Sequence, residues 1–185
     1  MYPVRHVILD RDGVLNHEAA GGGYITRPED FVWLPGALEG LKLLRESGVY
    51  LSVATNQSGV GRGIMRLEQL DSVHQRMKTE AARHGARLDA IFFCPHSPQA
   101  GCDCRKPAPG LIQAALKESG FSAAESILVG DAQRDLEAAT RAGVRAVLVR
   151  TGKGRKTEAA LNGTQVPTYD DLPEFARAVL GLPEQ

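Results

Sequence analysis

Short apolar runs alternate along this chain with segments in which apolar residues recur at helical spacing. VRHVILD (4–10) is a nearly continuous apolar run that ends in a polar loop, which is typical of a strand buried on both faces. In PGALEGLKLLRESG (35–48), Leu38, Leu41 and Leu44 lie at helical spacing between a proline and a glycine. The chain is therefore predicted to begin with a strand followed by a helix.

The same alternation continues to the end of the chain. Strands are predicted within 49–59, 88–95, 126–133 and 144–152, and helices within 67–84, 110–120, 136–143 and 170–181. This order indicates an α/β fold of the doubly wound type, with a mostly parallel sheet of five or six strands and helices on both faces. Residues 150–168 have few apolar positions and are expected to form an exposed connection.

Composition narrows the class of protein. A length of 185 residues suits one domain, so residues 1–185 are expected to form a single unit. The 22 basic and 22 acidic residues cancel, which argues against a nucleic-acid or membrane partner. No apolar run is long enough for a signal peptide or a membrane span. A cytoplasmic monomer is expected.

Acidic residues follow two of the predicted strands. Asp10 and Asp12 come at the end of the first strand and Asp131 at the end of the fourth, so all should lie at the carboxyl edge of the sheet. Three converging carboxylates suit Mg²⁺, although DRDG alone is equally compatible with an ordinary polar loop. Asp135 is either a group that hydrogen-bonds this cluster or a solvated acid at a helix start.

Other groups at the same edge suit an oxyanion. Thr55 and Asn56 offer a hydroxyl, an amide and backbone N–H groups, and Lys106 supplies a positive charge. Phosphoryl transfer requires mainly positioning and charge stabilisation, with an ionised aspartate as a possible nucleophile. These residues together predict phosphoryl chemistry.

All three cysteines lie within CPHSPQAGCDCRKP. Cys94, His96, Cys102 and Cys104 form a complete tetrahedral set for a structural Zn²⁺. A Cys102–Cys104 redox pair and cysteines that only fill space are alternatives, but neither uses His96. A zinc-ribbon nucleic-acid module is a further alternative, which lacks its usual spacing and a basic surface here. Arg105 follows the last cysteine directly and is a candidate to bind a second anionic group of the substrate.

The motifs together resemble the haloacid dehalogenase superfamily of phosphatases. Asp10-Arg-Asp12-Gly13, Thr55-Asn56, Lys106-Pro107 and Gly130-Asp131 occur in the order and strand contexts of that superfamily. The resemblance implies a Rossmann-like fold in which loop inserts stand in place of a cap domain.

It also implies roles for individual residues. Asp10 would be the nucleophile and Asp12 the general acid and base, while Thr55 and Lys106 would bind the transferring phosphoryl group. Mg²⁺ would be held by the carboxylates of Asp10 and Asp131 and the carbonyl of Asp12. Because a general acid must be protonated at neutral pH, the site is expected to raise the pKa of Asp12.

The cysteine loop resembles a small-cap subgroup, the D-glycero-D-manno-heptose 1,7-bisphosphate 7-phosphatases, which serve lipopolysaccharide core synthesis. Loops 16–28, 57–65 and 95–104 would then cover the site. The residues that would contact this small phosphorylated sugar are Gly23, Tyr24, Asn56, Gln57, Ser58 and Arg105. Tyr24 is alternatively a loop anchor, and Ala132 stands where that family often has a polar side chain.

Two competing functions remain at this point. Histidinol-phosphate phosphatases carry a similar cysteine loop, so histidinol phosphate is the alternative substrate. A zinc-stabilised binding module without catalysis is the alternative of a different class.

Overall fold

A six-stranded sheet runs through the centre of the computed structural model, which describes residues 4–183. The strands are β1 (His6–Leu9), β2 (Tyr50–Asn56), β3 (Ala90–Cys94), β4 (Ser126–Gly130), β5 (Arg145–Val149) and β6 (Thr168–Tyr169). The helices are α1 (Ala37–Glu46), α2 (Leu67–Arg83), α3 (Gly110–Ser119), α4 (Gln133–Arg141), α5 (Gly154–Ala160) and α6 (Leu172–Leu180). All strand pairs are parallel, which confirms the predicted α/β fold.

The strand order is β3-β2-β1-β4-β5-β6, so the direction in which successive strands are added to the sheet reverses at β1. β2 and β3 extend the sheet on one side of β1, while β4, β5 and β6 extend it on the other. In open parallel sheets, ligands bind at the carboxyl edge where the order reverses. The loops after β1 and β4 therefore meet at the position that this topology favours for a binding site.

Alternate residues of β1 face two different hydrophobic layers. Val7 and Leu9 lie in one buried cluster, and Ile8 lies in the other. Helices α1, α2 and α6 cover the first face, and α3 and α4 cover the second, through residues that include Leu44, Met77, Phe175, Ile112 and Ala139. A strand that is buried on both faces must be apolar at successive positions, which explains the continuous run in the sequence. Within the described part of the chain, no helix has the length and apolar character needed to cross a membrane.

Segment 150–168 is largely exposed, as predicted, but it is not an irregular connection. This segment contains α5 and leads into β6, which pairs with β5. Thr157 of α5 is buried, and its Oγ1 donates a hydrogen bond of 2.8 Å to the carbonyl oxygen of Asp131. A polar contact with the end of β4 thus anchors the helix, and for that reason the hydrophobic pattern of the sequence did not reveal it.

A buried histidine lies at the opposite, amino-terminal edge of the sheet. His6 Nε2 is 2.8 Å from Ser52 Oγ, and its Nδ1 is 3.2 Å from the hydroxyls of both Ser119 and Ser126. The ring is fully buried. Burial lowers the pKa of His6 to about 4, although the Asp89 carboxylate opposes the shift. The folded protein therefore holds this histidine neutral.

This histidine predicts a specific acid sensitivity of the fold. In the unfolded chain His6 takes up a proton near its ordinary pKa of 6.5, whereas the folded chain does so only near 4. The contribution of neutral His6 to the unfolding free energy is present above pH 6.5 and is lost as the pH falls from 6.5 to 4. The difference corresponds to about 3 kcal/mol of unfolding free energy.

Urea unfolding of the protein and of His6→Gln at several pH values tests this expectation. The variant should lose less unfolding free energy between pH 6.5 and pH 4 than the parent protein. His84→Gln, at an exposed position, is the control and should keep the parent profile. Identical profiles for all three proteins would contradict the assignment to His6.

Candidate active site

Three buried carboxyl groups converge at the carboxyl edge of the sheet. Asp10 follows β1, Asp131 follows β4, and Asp135 lies in the first turn of α4. One oxygen of each lies within 4.8 Å of the others. Gly13 makes the close approach possible, because a Cβ atom there would lie only 2.0 Å from Asp131 Oδ2. Its φ of 88° also favours glycine.

Lys106 is the buried cation of this cluster. Its Nζ lies 3.0 Å from Asp10 Oδ1 and 2.6 Å from Asp135 Oδ1. Burial alone would lower the pKa of Lys106, but the two carboxylates outweigh it and raise the pKa. The other oxygen of Asp135 accepts a hydrogen bond of 3.0 Å from the backbone N–H of Ala132. Of the two alternatives for Asp135, the buried contact with the cluster is therefore the observed one.

Two carboxylate oxygens of the cluster have neither a hydrogen-bond donor nor a close contact with Lys106 among residues 4–183. They are Asp10 Oδ2 and Asp131 Oδ1, and both are buried. Burial raises the pKa of Asp10 in spite of Lys106, and burial together with the Asp10 charge raises the pKa of Asp131 to about 7. Unpaired buried carboxylate oxygens that favour protonation are the environment that a hard divalent cation would relieve. The donor set thus fits Mg²⁺.

The side chain of Asp12 points to a different set of partners. Arg11 binds both of its oxygens through Nη2, at 2.9 and 3.0 Å. Asn16 Nδ2 donates to Oδ1 at 2.9 Å, and Gln57 Nε2 donates to Oδ2 at 2.8 Å. Burial would raise the pKa of Asp12, but the Arg11 charge and these hydrogen bonds lower it. The expected upward shift is wrong for this state of the protein, because every surrounding donor stabilises the ionised carboxylate.

A second contact holds the Arg11 guanidinium on the side that faces away from Asp12. Its side chain is almost completely buried, and Nη1 lies 3.2 Å from Nε2 of His74 in α2. Burial and the neighbouring guanidinium lower the pKa of His74 to about 3, so the ring is neutral and its Nε2 accepts the hydrogen bond. The orientation of the Asp12 carboxylate is thus fixed through two residues that the sequence analysis did not select.

Residues at the end of β2 and directly after it mainly position other groups of the site. Gln57 is buried and donates from Nε2 to Thr55 Oγ1 as well as to Asp12. Asn56 makes a reciprocal pair with the main chain of Lys106, donating to its carbonyl at 2.9 Å and accepting from its N–H at 3.0 Å. Asn56 and Gln57 line a cleft next to Asp12. Their amides therefore have little hydrogen-bonding capacity left for a substrate.

Of the remaining predicted contact residues, Gly23, Tyr24 and Ser58 lie on the covering loops, and Arg105 directly follows the third loop. Tyr24 and Ser58 bind each other through their hydroxyls at 2.9 Å, which links loop 16–28 to loop 57–65. Gly23 and Tyr24 line the cleft. Arg105 is half-buried, and its Nη1 is a buried donor with no partner among residues 4–183. Tyr24 thus anchors a loop and also faces the cleft.

The predicted zinc ligands come together at the end of β3. Cys94 Sγ lies 3.6 Å from His96 Nδ1 and from Cys102 Sγ, and Cys104 Sγ lies 3.2 to 3.5 Å from the other three ligand atoms. No disulfide joins them. Four N and S atoms at these separations fit a tetrahedral Zn²⁺ with ligand distances of about 2.0 to 2.3 Å. The compact set that includes His96 favours zinc over a Cys102–Cys104 redox pair.

This cysteine loop is joined to the catalytic edge by backbone contacts. Cys94 is paired in register with Asn56 on β2, and Asn56 holds the main chain of Lys106. Gly61 donates a hydrogen bond of 2.8 Å to the carbonyl of Pro95, which ties loop 57–65 to the cysteine loop. Order in the cysteine loop therefore determines where Lys106 and loop 57–65 lie.

Two further cations at the cleft were not found from the sequence. Arg134, in the first turn of α4, and Lys153, after β5, both line it. The backbone N–H of Lys153 donates to Asp131 Oδ2 at 2.8 Å, and its Nζ pairs with Glu18. Arg134 follows Asp131 by three residues on a helix that starts at the same edge, which is the signal that was available. Lys153 lies in segment 150–168, whose few apolar positions give no sign of its place at the cleft.

We expect loss of the zinc site to lower the stability of the protein rather than to remove a group that takes part in the reaction. Replacing Cys102 by Ser removes one ligand, so the zinc content should fall and the unfolding free energy should decrease by at least about 2 kcal/mol. For a chain of this length, that loss corresponds to a Tm decrease of about 4 to 8 °C.

Metal analysis and thermal unfolding of Cys102→Ser measure both effects. Gln99→Ala, at an exposed position of the same loop, is the matched control and should retain the zinc and the Tm. A Cys102→Ser protein with full zinc content and an unchanged Tm would contradict the zinc site.

Comparisons with known proteins agree with this geometry. A family model described as "HAD-hyrolase-like" matches residues 103–175. A Pseudomonas putida protein named D-glycero-beta-D-manno-heptose-1,7-bisphosphate 7-phosphatase is 40% identical over 175 residues, which cover 94% of this chain and 98% of the relative. A Bordetella bronchiseptica protein of the same name is 41% identical over 177 residues, covering 94% and 97%.

Solved structures give the same result. The D,D-heptose 1,7-bisphosphate phosphatase from Bordetella bronchiseptica, crystallised with magnesium and phosphate, has a TM-score of 0.89 at 38% identity. The match covers 96% of this chain and 99% of that one. The corresponding enzyme from Burkholderia thailandensis has a TM-score of 0.74 at 38% identity, with coverage of 95% and 98%. On this identity and coverage, the chain belongs to the haloacid dehalogenase-like hydrolases, in the family of D-glycero-beta-D-manno-heptose-1,7-bisphosphate 7-phosphatases.

Proposed function

We propose that the chain removes the 7-phosphate of D-glycero-D-manno-heptose 1,7-bisphosphate, the reaction for which its relatives are named. The observation that carries the proposal is the buried Asp10, which has one oxygen on Lys106 and the other without a hydrogen-bond donor. A carboxylate in this setting is a suitable nucleophile toward phosphorus. The hypothesis of a non-catalytic binding module does not agree with membership in a hydrolase family.

In the first step Asp10 attacks the phosphorus atom. A bond forms between a carboxylate oxygen and phosphorus, the bond from phosphorus to the sugar oxygen breaks, and the sugar oxygen takes a proton from Asp12. Lys106 and Thr55 stabilise the negative charge on the transferring oxygens. The carboxyl group of Asp12 must gain its proton after the substrate enters, when the nearby phosphate charge raises its pKa.

In the second step water attacks the phosphorus of the aspartyl phosphate. Asp12 takes a proton from this water, the bond between phosphorus and Asp10 breaks, and inorganic phosphate leaves. The ionised state of Asp12, held by Arg11 and Gln57, suits this role as a base. Gln57 acts as a positioning residue for Asp12.

The two metal sites have separate roles in this proposal. Mg²⁺ would be held by the carboxylates of Asp10 and Asp131 and the carbonyl of Asp12, and when bound it would neutralise carboxylate and phosphate charge. Zn²⁺ would be held by the cysteine loop and would stabilise that loop. The unpaired oxygens of Asp10 and Asp131 support the first assignment.

The rest of the substrate is proposed to contact Arg105 and the covering loops. Arg105 carries a buried, unpartnered donor that suits an anionic group. Gly23, Tyr24 and Ser58 would contact the sugar, and Asn56 would contribute the amide hydrogen that Lys106 leaves free. We further propose that residues 1–185 work as one domain, in the cytoplasm, as a monomer that binds no nucleic acid.

Replacement of the nucleophile is the primary test. Asp10→Asn should reduce phosphate release at least about 1000-fold, because an amide cannot form the aspartyl phosphate. Phosphate release, zinc content and Tm should be measured together. Asp71→Asn, at an exposed position of α2, should keep full activity. Retained turnover in a folded Asp10→Asn protein would refute the mechanism.

Substrate identity requires a direct comparison. We expect kcat/KM for D-glycero-D-manno-heptose 1,7-bisphosphate to exceed that for histidinol phosphate at least about tenfold, since two phosphates give Arg105 a partner that histidinol phosphate lacks. Steady-state phosphate release with each compound measures the ratio. A preference for histidinol phosphate would overturn the substrate and leave the chemistry at Asp10 intact.

A further inference from the structure

Arg134 reaches the nucleophile from the solvent side of the cleft. It lies in the first turn of α4, and its Nη2 is 3.7 Å from Asp10 Oδ2. The side chain is 34% exposed, whereas that of Lys106 is completely buried. The guanidinium lines the same cleft as Asp12. It is therefore positioned where a phosphate group must arrive before it reacts with Asp10.

The hydrogen-bonding capacity of Arg134 is unused. Its Nε is buried and has no partner, and we find no hydrogen bond from its guanidinium within residues 4–183. A buried donor without an acceptor leaves its loss of hydration uncompensated, and a bound acceptor would compensate it. Arg150 shows the contrast, because its guanidinium donates to Glu158 and Asp170.

A purely structural ion pair with Asp10 explains this arrangement poorly. At 3.7 Å, Nη2 is too far from Asp10 Oδ2 for a hydrogen bond, and charge-assisted pairs are usually about 2.7 to 2.9 Å long. Lys106 already neutralises the same carboxylate at 3.0 Å. Ala132, between Asp131 and α4, offers no charge to the site. Arg134 is thus a cation at the nucleophile with its donors available.

We propose that Arg134 binds the phosphoryl group that is transferred to Asp10, donating to its oxygens through the planar fork of the guanidinium. The inference rests on the proposed phosphatase function and adds a catalytic residue to it. Because Arg134 lies at the nucleophile, its contact is with the reacting phosphate. Its effect should therefore be the same for every phosphomonoester, unlike that of Arg105.

The test uses Arg134→Gln and Arg134→Lys at saturating Mg²⁺. In Arg134→Gln, kcat/KM should fall about 10- to 100-fold for both p-nitrophenyl phosphate and the heptose bisphosphate. The inhibition constant of inorganic phosphate should rise by a similar factor. Arg134→Lys should recover part of both losses, since it restores the charge without the fork. Arg83→Gln, at an exposed position of α2, should match the parent protein.

Three results would overturn the proposal. The first is an unchanged inhibition constant for phosphate in a folded Arg134→Gln protein. The second is a loss confined to the bisphosphate, which would assign Arg134 to the distant part of the substrate. The third is an equal loss in Arg134→Gln and Arg83→Gln.

Failure of the heptose assignment is distinguishable from these results. If the parent protein hydrolyses p-nitrophenyl phosphate but not the heptose bisphosphate, the proposed substrate is wrong. The measurements with p-nitrophenyl phosphate and inorganic phosphate still decide the role of Arg134. Tm values of all variants show whether a loss of activity reflects unfolding. If Arg134→Gln does not fold, the phosphate inhibition constant of Arg134→Lys decides: a rise supports the proposal, and no change rejects it.

Discussion

The concentration of negative charge at one edge of the sheet is the constraint on which the rest of this structure depends. Asp10, Asp131 and Asp135 lie buried within 4.8 Å of one another, against the single ammonium of Lys106 in that cluster. Removing ions from water costs several kcal/mol each unless they are paired and hydrogen-bonded. Close approach at Gly13 and backbone donors from Ala132, just before α4, and from the segment after β5 make the cluster possible. The buried carboxylates therefore lower the stability of the fold, and the same charge favours binding of a cation and of the phosphate that accompanies it.

The cysteine loop meets this demand indirectly, by fixing the position of the balancing charge. Cys94 ends β3 beside Asn56, and Asn56 holds both main-chain polar groups of Lys106. A closed metal site restrains a loop that has little hydrophobic core of its own. The three thiols and the histidine therefore help to fix the position of Lys106 without contacting it in the cluster.

The fold could be predicted because the spacing of apolar residues and the order of strands and helices can be read directly from the sequence. Residues in β1 alternate between two hydrophobic layers, and this appears as a continuous apolar run. Asp10 and Asp131 follow β1 and β4 directly, and Lys106 and the zinc ligands lie at the end of β3 or in the loop after it, so parallel topology brings them to one edge. The helix α5 was missed because its anchor is the Thr157 hydrogen bond, which leaves no trace in hydrophobic periodicity.

The ionisation of side chains and their hydrogen-bond partners were harder to predict from the sequence. Whether Asp12 is protonated depends on where the Arg11 side chain turns, and that is decided by His74 from a distant helix. Asn56 and Gln57 have the residue types of substrate contacts, but the Lys106 backbone takes one N–H and the oxygen of the Asn56 amide, and Thr55 and Asp12 take the N–H groups of Gln57. Motif spacing identifies which groups meet, whereas their partners follow only from the packed arrangement.

The hydrogen bond between Tyr24 and Ser58 has a consequence for how the cover of the site is supported. It joins two of the covering loops, and Gly61 joins the second of them to the cysteine loop. The loops beside the cleft thus form a connected series that leads back to the cysteine ligands. Loss of order in the cysteine loop would therefore extend through loop 57–65 to Tyr24, so a metal that closes this loop also supports the entrance to the cleft.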